Sequence, residues 1–276
     1  MVKAVATKIF SLFVDGLQEH GEGGGEGAGE IKEFIMHHVQ DHVIYPIHIF
    51  GFDISITKHV LMVWIAAAIL MLSIPLILRS KALVPKGPAN FIEWIIVYLR
   101  DTVIQPFLGE DGYKYAPYLL TAFFFILLCN FLGLVPMAAT ATGNISVTAG
   151  MALLTLLLVQ ISSIRKNGFL GYLKGFIPPG LPWFVMPIIF VVEILGMLTK
   201  HFALAIRLFA NMIAGHLVIF TIMGLIFMFK NLFISPFPVL GILFVSLLEI
   251  LIALIQAYIF TILSAVFIGA AVNPHH

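Results

Sequence analysis

Residues 182–229 read "PWFVMPIIFVVEILGMLTKHFALAIRLFANMIAGHLVIFTIMGLIFMF". Apart from Glu193, Lys200, Arg207, Asn211 and His216, this run of 48 positions is almost wholly apolar. If helical throughout it is roughly 72 Å long at 1.5 Å per residue, whereas the hydrocarbon core of a bilayer is about 30 Å thick. Either the run holds two spans with a turn near "TKHF" (199–202), or it is one helix inclined far from the membrane normal. No Gly, Pro or Asn stands at 199–202 to mark a turn. After "KNLFISPFP" (230–238) a second apolar run, 239–271, continues for 33 residues, roughly 50 Å of helix. Two long, strongly tilted helices joined as a hairpin at 230–238 fit these lengths better; on sequence alone the two-span alternative stays open.

Composition fixes the solvent. Of 276 residues 61% are hydrophobic and 11% charged, with a mean hydropathy of +1.06. A soluble domain is nearer 45–50% apolar and about 25% charged. The chain is therefore read as an all-α, polytopic membrane protein of about five transmembrane helices. Its net charge of +1 offers no basic face to nucleic acid. A single cysteine, Cys129, excludes an internal disulfide and reads as a small core hydrophobe.

A span needs about 20 mostly apolar residues. Residues 60–78 make the first, and "RSKALVPKGPAN" (79–90) ends it. "FIEWIIVYLRDTVIQPFLG" (91–109) mixes Glu93, Arg100 and Asp101 with apolar residues, which suits an amphipathic helix along the interface. Residues 116–137 form the second span, "AATATGNIS" a turn, 147–164 the third span, and "RKNGFLGYLKG" (165–175) a second basic loop. Arg79, Lys81 and Lys86 then share a side with Arg165, Lys166 and Lys174, and the positive-inside tendency places that side in the cytoplasm or the equivalent matrix. The N-terminus falls outside and the C-terminus inside, as in a bacterial plasma membrane or, alternatively, an organelle inner membrane.

Residues 1–57 read as an external, partly flexible extension, 58–272 as the membrane channel domain and 273–276 as a tail. "MVKAVATKIFSLFVDG" (1–16) is loosely signal-like, but it lacks a small-x-small cleavage site and Lys8 breaks its apolar core; an amphipathic surface helix is the other reading. "EHGEGGGEGAGE" (19–30) is a glycine-rich acidic tether, and the histidines of "MHHVQDH" (36–42) read as solvated.

At 100° per residue Glu193, Lys200 and Asn211 fall at about +40°, +20° and +40° from Arg207, a single polar stripe. His216 lies about 180° round and roughly 13 Å further along. On the last helix Glu249 and Gln256 share a face within about 20°. Interhelical hydrogen bonds would explain Asn211 and Gln256. Two carboxylates, an arginine and an imidazole exceed what packing needs, since ionisable groups at bilayer depth line ion paths or water-filled cavities. Carboxylates and imidazole exchange protons; arginine, protonated in any protein environment, is a fixed charge. The set suggests proton movement past an electrostatic gate.

At these residues the sequence resembles subunit a of the F-type ATP synthase, the stator channel of its membrane sector. "LAIRLFANMIAGH" (204–216), "LEILIALIQAYIFTIL" (248–263), "NFLGLVP" (130–136) and "NISVTAGMALLTLLL" (144–158) carry the resemblance, in the family's order, over about residues 58–272. The resemblance implies that Arg207 is the essential gate facing a c-ring. It implies that Asn211, His216, Glu249 and Gln256 belong to a proton half-channel open to the outside, and Glu193 to one leading inward. Family members often carry the acid nine residues after the arginine and the histidine on the last helix; here His216 and Glu249 exchange those places. His201 stands where proline is common, which leaves the local helix shape open. Implied partners are the c-ring, b-type peripheral stalk subunits, the rest of the ATP synthase and the lipid bilayer.

No cofactor or metal is expected. A haem- or quinone-binding electron-transfer subunit would need facing histidine pairs, and a secondary transporter repeated halves; neither pattern is present. Without a Gly-Lys-Ser/Thr phosphate loop or a nucleophile triad the chain is no enzyme on its own.

Overall fold

The computed structural model describes residues 43–45, 48–49, 52–53, 56–77, 87–135, 140–176, 182–229 and 236–272. The readings placed on residues 1–42, on the first basic loop at 79–86, on Pro136, on the hairpin turn at 230–235 and on the tail lie outside them.

The membrane part is all-α and, among the described residues, has five helical segments long and apolar enough to cross a membrane. Helix α1 is Lys58–Ile77. Helix α2, Pro88–Leu99, begins with proline in its first turn, where the missing N–H costs nothing. It runs through one wide π-turn, Arg100–Ile104, into α3, Gln105–Leu108. A tight corner at Gly109–Asp111 then turns the chain into α4, Gly112–Gly133. Helices α5, Ile145–Lys174, α6, Met186–Phe229, and α7, Pro236–Val272, complete the chain.

Along α2 and α3 the amphipathic pattern is realised. Leu99, Val103, Ile104 and Leu108 are buried, whereas Phe91, Trp94 and Tyr98 form an exposed row of stacked rings with centroids 6.3 and 6.0 Å apart. Helix α7 packs on α4, α5 and α6, and α1 lies outside them against α4. The core joins Leu119, Phe123 and Ile126 of α4, Val159 of α5, Leu204 and Leu208 of α6, and Phe260 and Ile268 of α7. A smaller cluster, Ala66, Cys129 and Ala141, fastens α1 to α4 and to the turn that follows it.

Helix α6 is continuous through 199–202, so the long apolar run is one helix and not two spans. With 44 and 37 residues, α6 and α7 are about 66 and 56 Å long at 1.5 Å per residue. The segment read as a second basic loop is instead helical on both sides of Gly168, whose φ of 72° breaks α5 there. Glycine adopts that conformation without a Cβ clash, and long cationic side chains reach water from a helix end without needing a loop. At the start of α5 the Asn144 side chain accepts from the Ser146 N–H at 2.9 Å, an N-cap worth about 1 kcal/mol.

Short strands precede the membrane part and were not foreseen. Val43–Tyr45 pairs with Ile56–Thr57, and His48–Ile49 with Phe52–Asp53, both antiparallel. They bring the chain back on itself just before α1.

Candidate functional site

Burial along α6 is one-sided. With Arg207 as 0°, His201, Leu204, Ala205, Leu208 and Met212 fall between about 60° and 160° and are buried. Glu193, Lys200, Ala203, Arg207, Ala210 and Ala214 fall between about −60° and +40° and are exposed. Asn211 sits at the edge of that arc, half-buried. Gly196, Ala203 and Ala210 repeat every seven residues beside the arginine, so the surface around the guanidinium is low and allows another helix to come close.

Among the described residues Arg207 makes no ion pair or hydrogen bond. The chain's own carboxylates are remote along the helix. Glu193 is fourteen residues back, about 21 Å, and Glu249 meets α6 at Gly215, eight residues on, about 12 Å. A guanidinium at bilayer depth without a counter-charge costs at least about 2.5 kcal/mol.

The opposite face holds the second group. Glu249 of α7 lies against the backbone of α6 at Gly215, where an added β-carbon would run into Oε1 of the carboxylate. Only glycine leaves room for that approach, and the next residue is His216. Glu249 of α7 thus reaches α6 one residue before His216. Nε2 of His216 hydrogen-bonds the Thr140 hydroxyl. Thr140, buried in the turn between α4 and α5, in turn accepts at its carbonyl from Nδ1 of His59 at 2.8 Å. The same turn is pinned to α7: the Thr142 hydroxyl donates to Oδ1 of Asn130 at 2.9 Å, and Nδ2 of Asn130 donates to the Ala253 carbonyl at 3.4 Å.

Gln256 lies deeper, buried, with Nε2 meeting no hydrogen-bond partner among the described residues. It is buried along with Ala253 and Ala257, about two turns beyond Glu249. His201 does not disturb α6. Nδ1 donates to the Met197 carbonyl one turn back at 2.9 Å, and the ring lies on Phe267 with centroids 4.9 Å apart. Of the residues singled out in the sequence, Glu249 reaches α6 at Gly215, next to His216 in the chain. Arg207, Glu193 and Lys200 share the exposed face, Asn211 lies at its edge, and Gln256 stands apart. Asn130, Thr140, Thr142 and His59 were not singled out. Asn130 heads "NFLGLVP" and both threonines lie in "AATATGNIS", but neutral residues beside a turn carry no signal of their own.

The molecule's two ends are chemically distinct. His59, the 140–144 turn, His216 and Glu249 gather at one. At the other, Nζ of Lys166 meets Asp111 Oδ2 at 2.5 Å and Nδ2 of Asn167 donates to the Ala271 carbonyl at 3.1 Å. Among the described residues no three His, Cys, Asp or Glu side chains converge as a metal would require.

Residues 60–269 match the family described as ATP synthase A chain. "ATP synthase subunit a" of Chloroherpeton thalassium is 51% identical over 234 residues, covering 82% of this chain and 69% of that protein. The protein of the same name from an Anaeromyxobacter species is 46% identical over 245 residues, 87% of this chain and 60% of its own length. "ATP synthase subunit a 2" of Prosthecochloris aestuarii is 44% identical over 273 residues, 91% of this chain and 82% of that protein. The chain thus spans between 60% and 82% of the length of these relatives.

Proposed function

This chain belongs to the ATP synthase A chain family, and on that premise we propose that it is the stator of the membrane sector, carrying two offset proton half-channels that load and unload the carboxylates of a c-ring. The observation that carries this reading is the separation of two groups along α6: a guanidinium exposed among alanines with no counter-charge among the described residues, and, further along, the His216 imidazole with the Glu249 carboxylate meeting α6 at the residue before it.

Each ring subunit carries a membrane-buried carboxyl, neutral while it faces lipid because an ionised one there is costly. A proton arrives from outside by way of His216 and Glu249, with Asn211 and Gln256 along the same path, and neutralises that carboxylate. Imidazole suits this step, since it both takes and releases a proton near neutral pH. The ring turns until the carboxyl nears Arg207. There the fixed positive charge favours the ionised form, and the proton leaves by the inward path at Glu193. A hydrated proton meets like charge at Arg207, so the half-channels do not short-circuit. One charge crossing is worth about 2.3 kcal/mol per 100 mV, so several crossings drive each ATP made in the soluble head, and this chain performs no bond chemistry itself.

The low surface at Gly196, Ala203 and Ala210 receives the ring, and strong tilt lets helices of about 66 and 56 Å lie along it. Residues 58–272 are the channel domain, set in a bacterial plasma membrane with the N-terminus outside, the C-terminus cytoplasmic and a b-type stalk beside it. Purification from mild detergent tests the assembly. A ring of small hairpin subunits and a stalk should accompany this chain without visible pigment; a haem spectrum with no ring would overturn the reading.

A further inference from the structure

We infer that His59 is a positioning residue of the outer half-channel, acting through Thr140 to set the imidazole of His216 against Glu249; this rests on the role proposed above for His216 and Glu249. Residue 59 lies just before the segment matched by the family, 60–269, so nothing in that match assigns it a task. The assignment comes from two hydrogen bonds that meet on one residue. Nδ1 of His59, in the first turn of α1, faces the Thr140 carbonyl at 2.8 Å; a carbonyl only accepts, so Nδ1 carries the proton. The Thr140 hydroxyl bonds Nε2 of His216. These contacts link positions 81 and 76 residues apart in the chain, and so tie α1 and the 140–144 turn to α6 at the height of the proposed proton entry.

Three features make the link stiff. Thr140 is buried, and its carbonyl accepts both from the Gly143 N–H at 3.0 Å and from His59, so the oxygen is held from the turn and from α1 at once. The next residue, Ala141, sits in the apolar cluster with Ala66 of α1 and Cys129 of α4, so α1 and the turn are held together by packing as well as by His59. Two residues further, Thr142 is tied through Asn130 to α7 at Ala253, one helical turn from Glu249. The turn is therefore anchored to both sides of the pair: to His216 by Thr140 and to the Glu249 helix by Asn130. A histidine's partner on one ring nitrogen decides what the other nitrogen can do, so Thr140 sets how His216 is presented and His59 sets where Thr140 stands.

The test uses the whole complex in inverted vesicles, with ATP-driven proton uptake measured per assembled complex. His59→Ala should slow uptake about 2- to 10-fold, the weight of one hydrogen bond. His59→Asn should recover most of the rate, because the asparagine amide nitrogen occupies nearly the position of Nδ1 and donates to the same carbonyl without titrating. Thr140→Val should slow uptake by a similar factor, Thr140→Ser should not, and adding His59→Ala to Thr140→Val should slow it no further. A normal rate per complex in His59→Ala overturns the inference, whether or not less complex assembles. So does an asparagine variant no better than alanine. His216→Ala and Arg207→Ala, measured in parallel, separate the two levels. If both abolish uptake and His59→Ala does not slow it, only the role of His59 fails; if uptake survives both, the half-channel reading itself fails.

Discussion

The Glu249 carboxylate rests on the backbone of Gly215, and its neighbour along α6 is His216. A helix that supplies glycine at that point lets a side chain of α7 reach in beside the imidazole. Gly215→Ala would push against the far end of a flexible side chain, so Glu249 swings aside and the cost stays near the low end of the roughly 1–3 kcal/mol of overpacking. The carboxylate is nevertheless displaced, and misplacement by about 1 Å at a reacting group can cost up to about 100-fold. Proton uptake per complex should therefore fall about 10-fold or more while assembly stays near normal. Normal uptake would show that the Glu249 position is not critical.

Because Glu249 meets α6 one residue before His216, exchanging the two keeps one imidazole and one carboxylate in the same neighbourhood. The double variant His216→Glu with Glu249→His should transport several-fold faster than either single variant. Coupled residues in contact depart from additivity by about 0.5–3 kcal/mol. A double variant no better than the worse single variant would show that the two act separately.

Asn130 is fully buried and serves the turn and α7 at once, accepting from Thr142 and donating to Ala253. Asn130→Leu keeps the volume and strands the Thr142 hydroxyl, at roughly 1–3 kcal/mol. The variant complex should lose this subunit at a lower temperature in detergent. Unchanged thermal stability would mean that the turn is held by packing alone.

How much of this was legible before any coordinates is clearest on α6. The absence of Gly, Pro and Asn at 199–202 favours one helix across the long apolar run without excluding two spans, and 100° spacing places Glu193, Lys200 and Arg207 on the face that is exposed in the structure. Both are local properties. The adjacency of His216 and Glu249, 33 residues apart, came only through resemblance to a family, since no helical spacing relates two different helices. Thr140, Thr142, Asn130 and His59 gave no signal because their hydrogen bonds span between 12 and 123 residues and exist only once α1, α4, α6 and α7 have packed. The basic segment 165–175 misled for a physical reason. Charge there suggests a loop, whereas a helix end in water carries Arg165 and Lys166 readily, and Gly168 interrupts the helix.

Arg207→Lys separates fixed charge from mere basicity. A lysine can lose its proton and lacks the planar fork of donors, so coupled transport should fall to a small fraction of normal. Retention of near-normal coupling would mean that any cation at this position suffices.

The central claim, that Arg207 divides two proton paths which connect only through a moving ring, is tested most directly by Arg207→Ala in the whole complex, with ATP-driven proton uptake followed in inverted vesicles. Loss of all ATP-driven uptake, with the complex assembled, is the predicted result; coupled pumping at near-normal rates would contradict it.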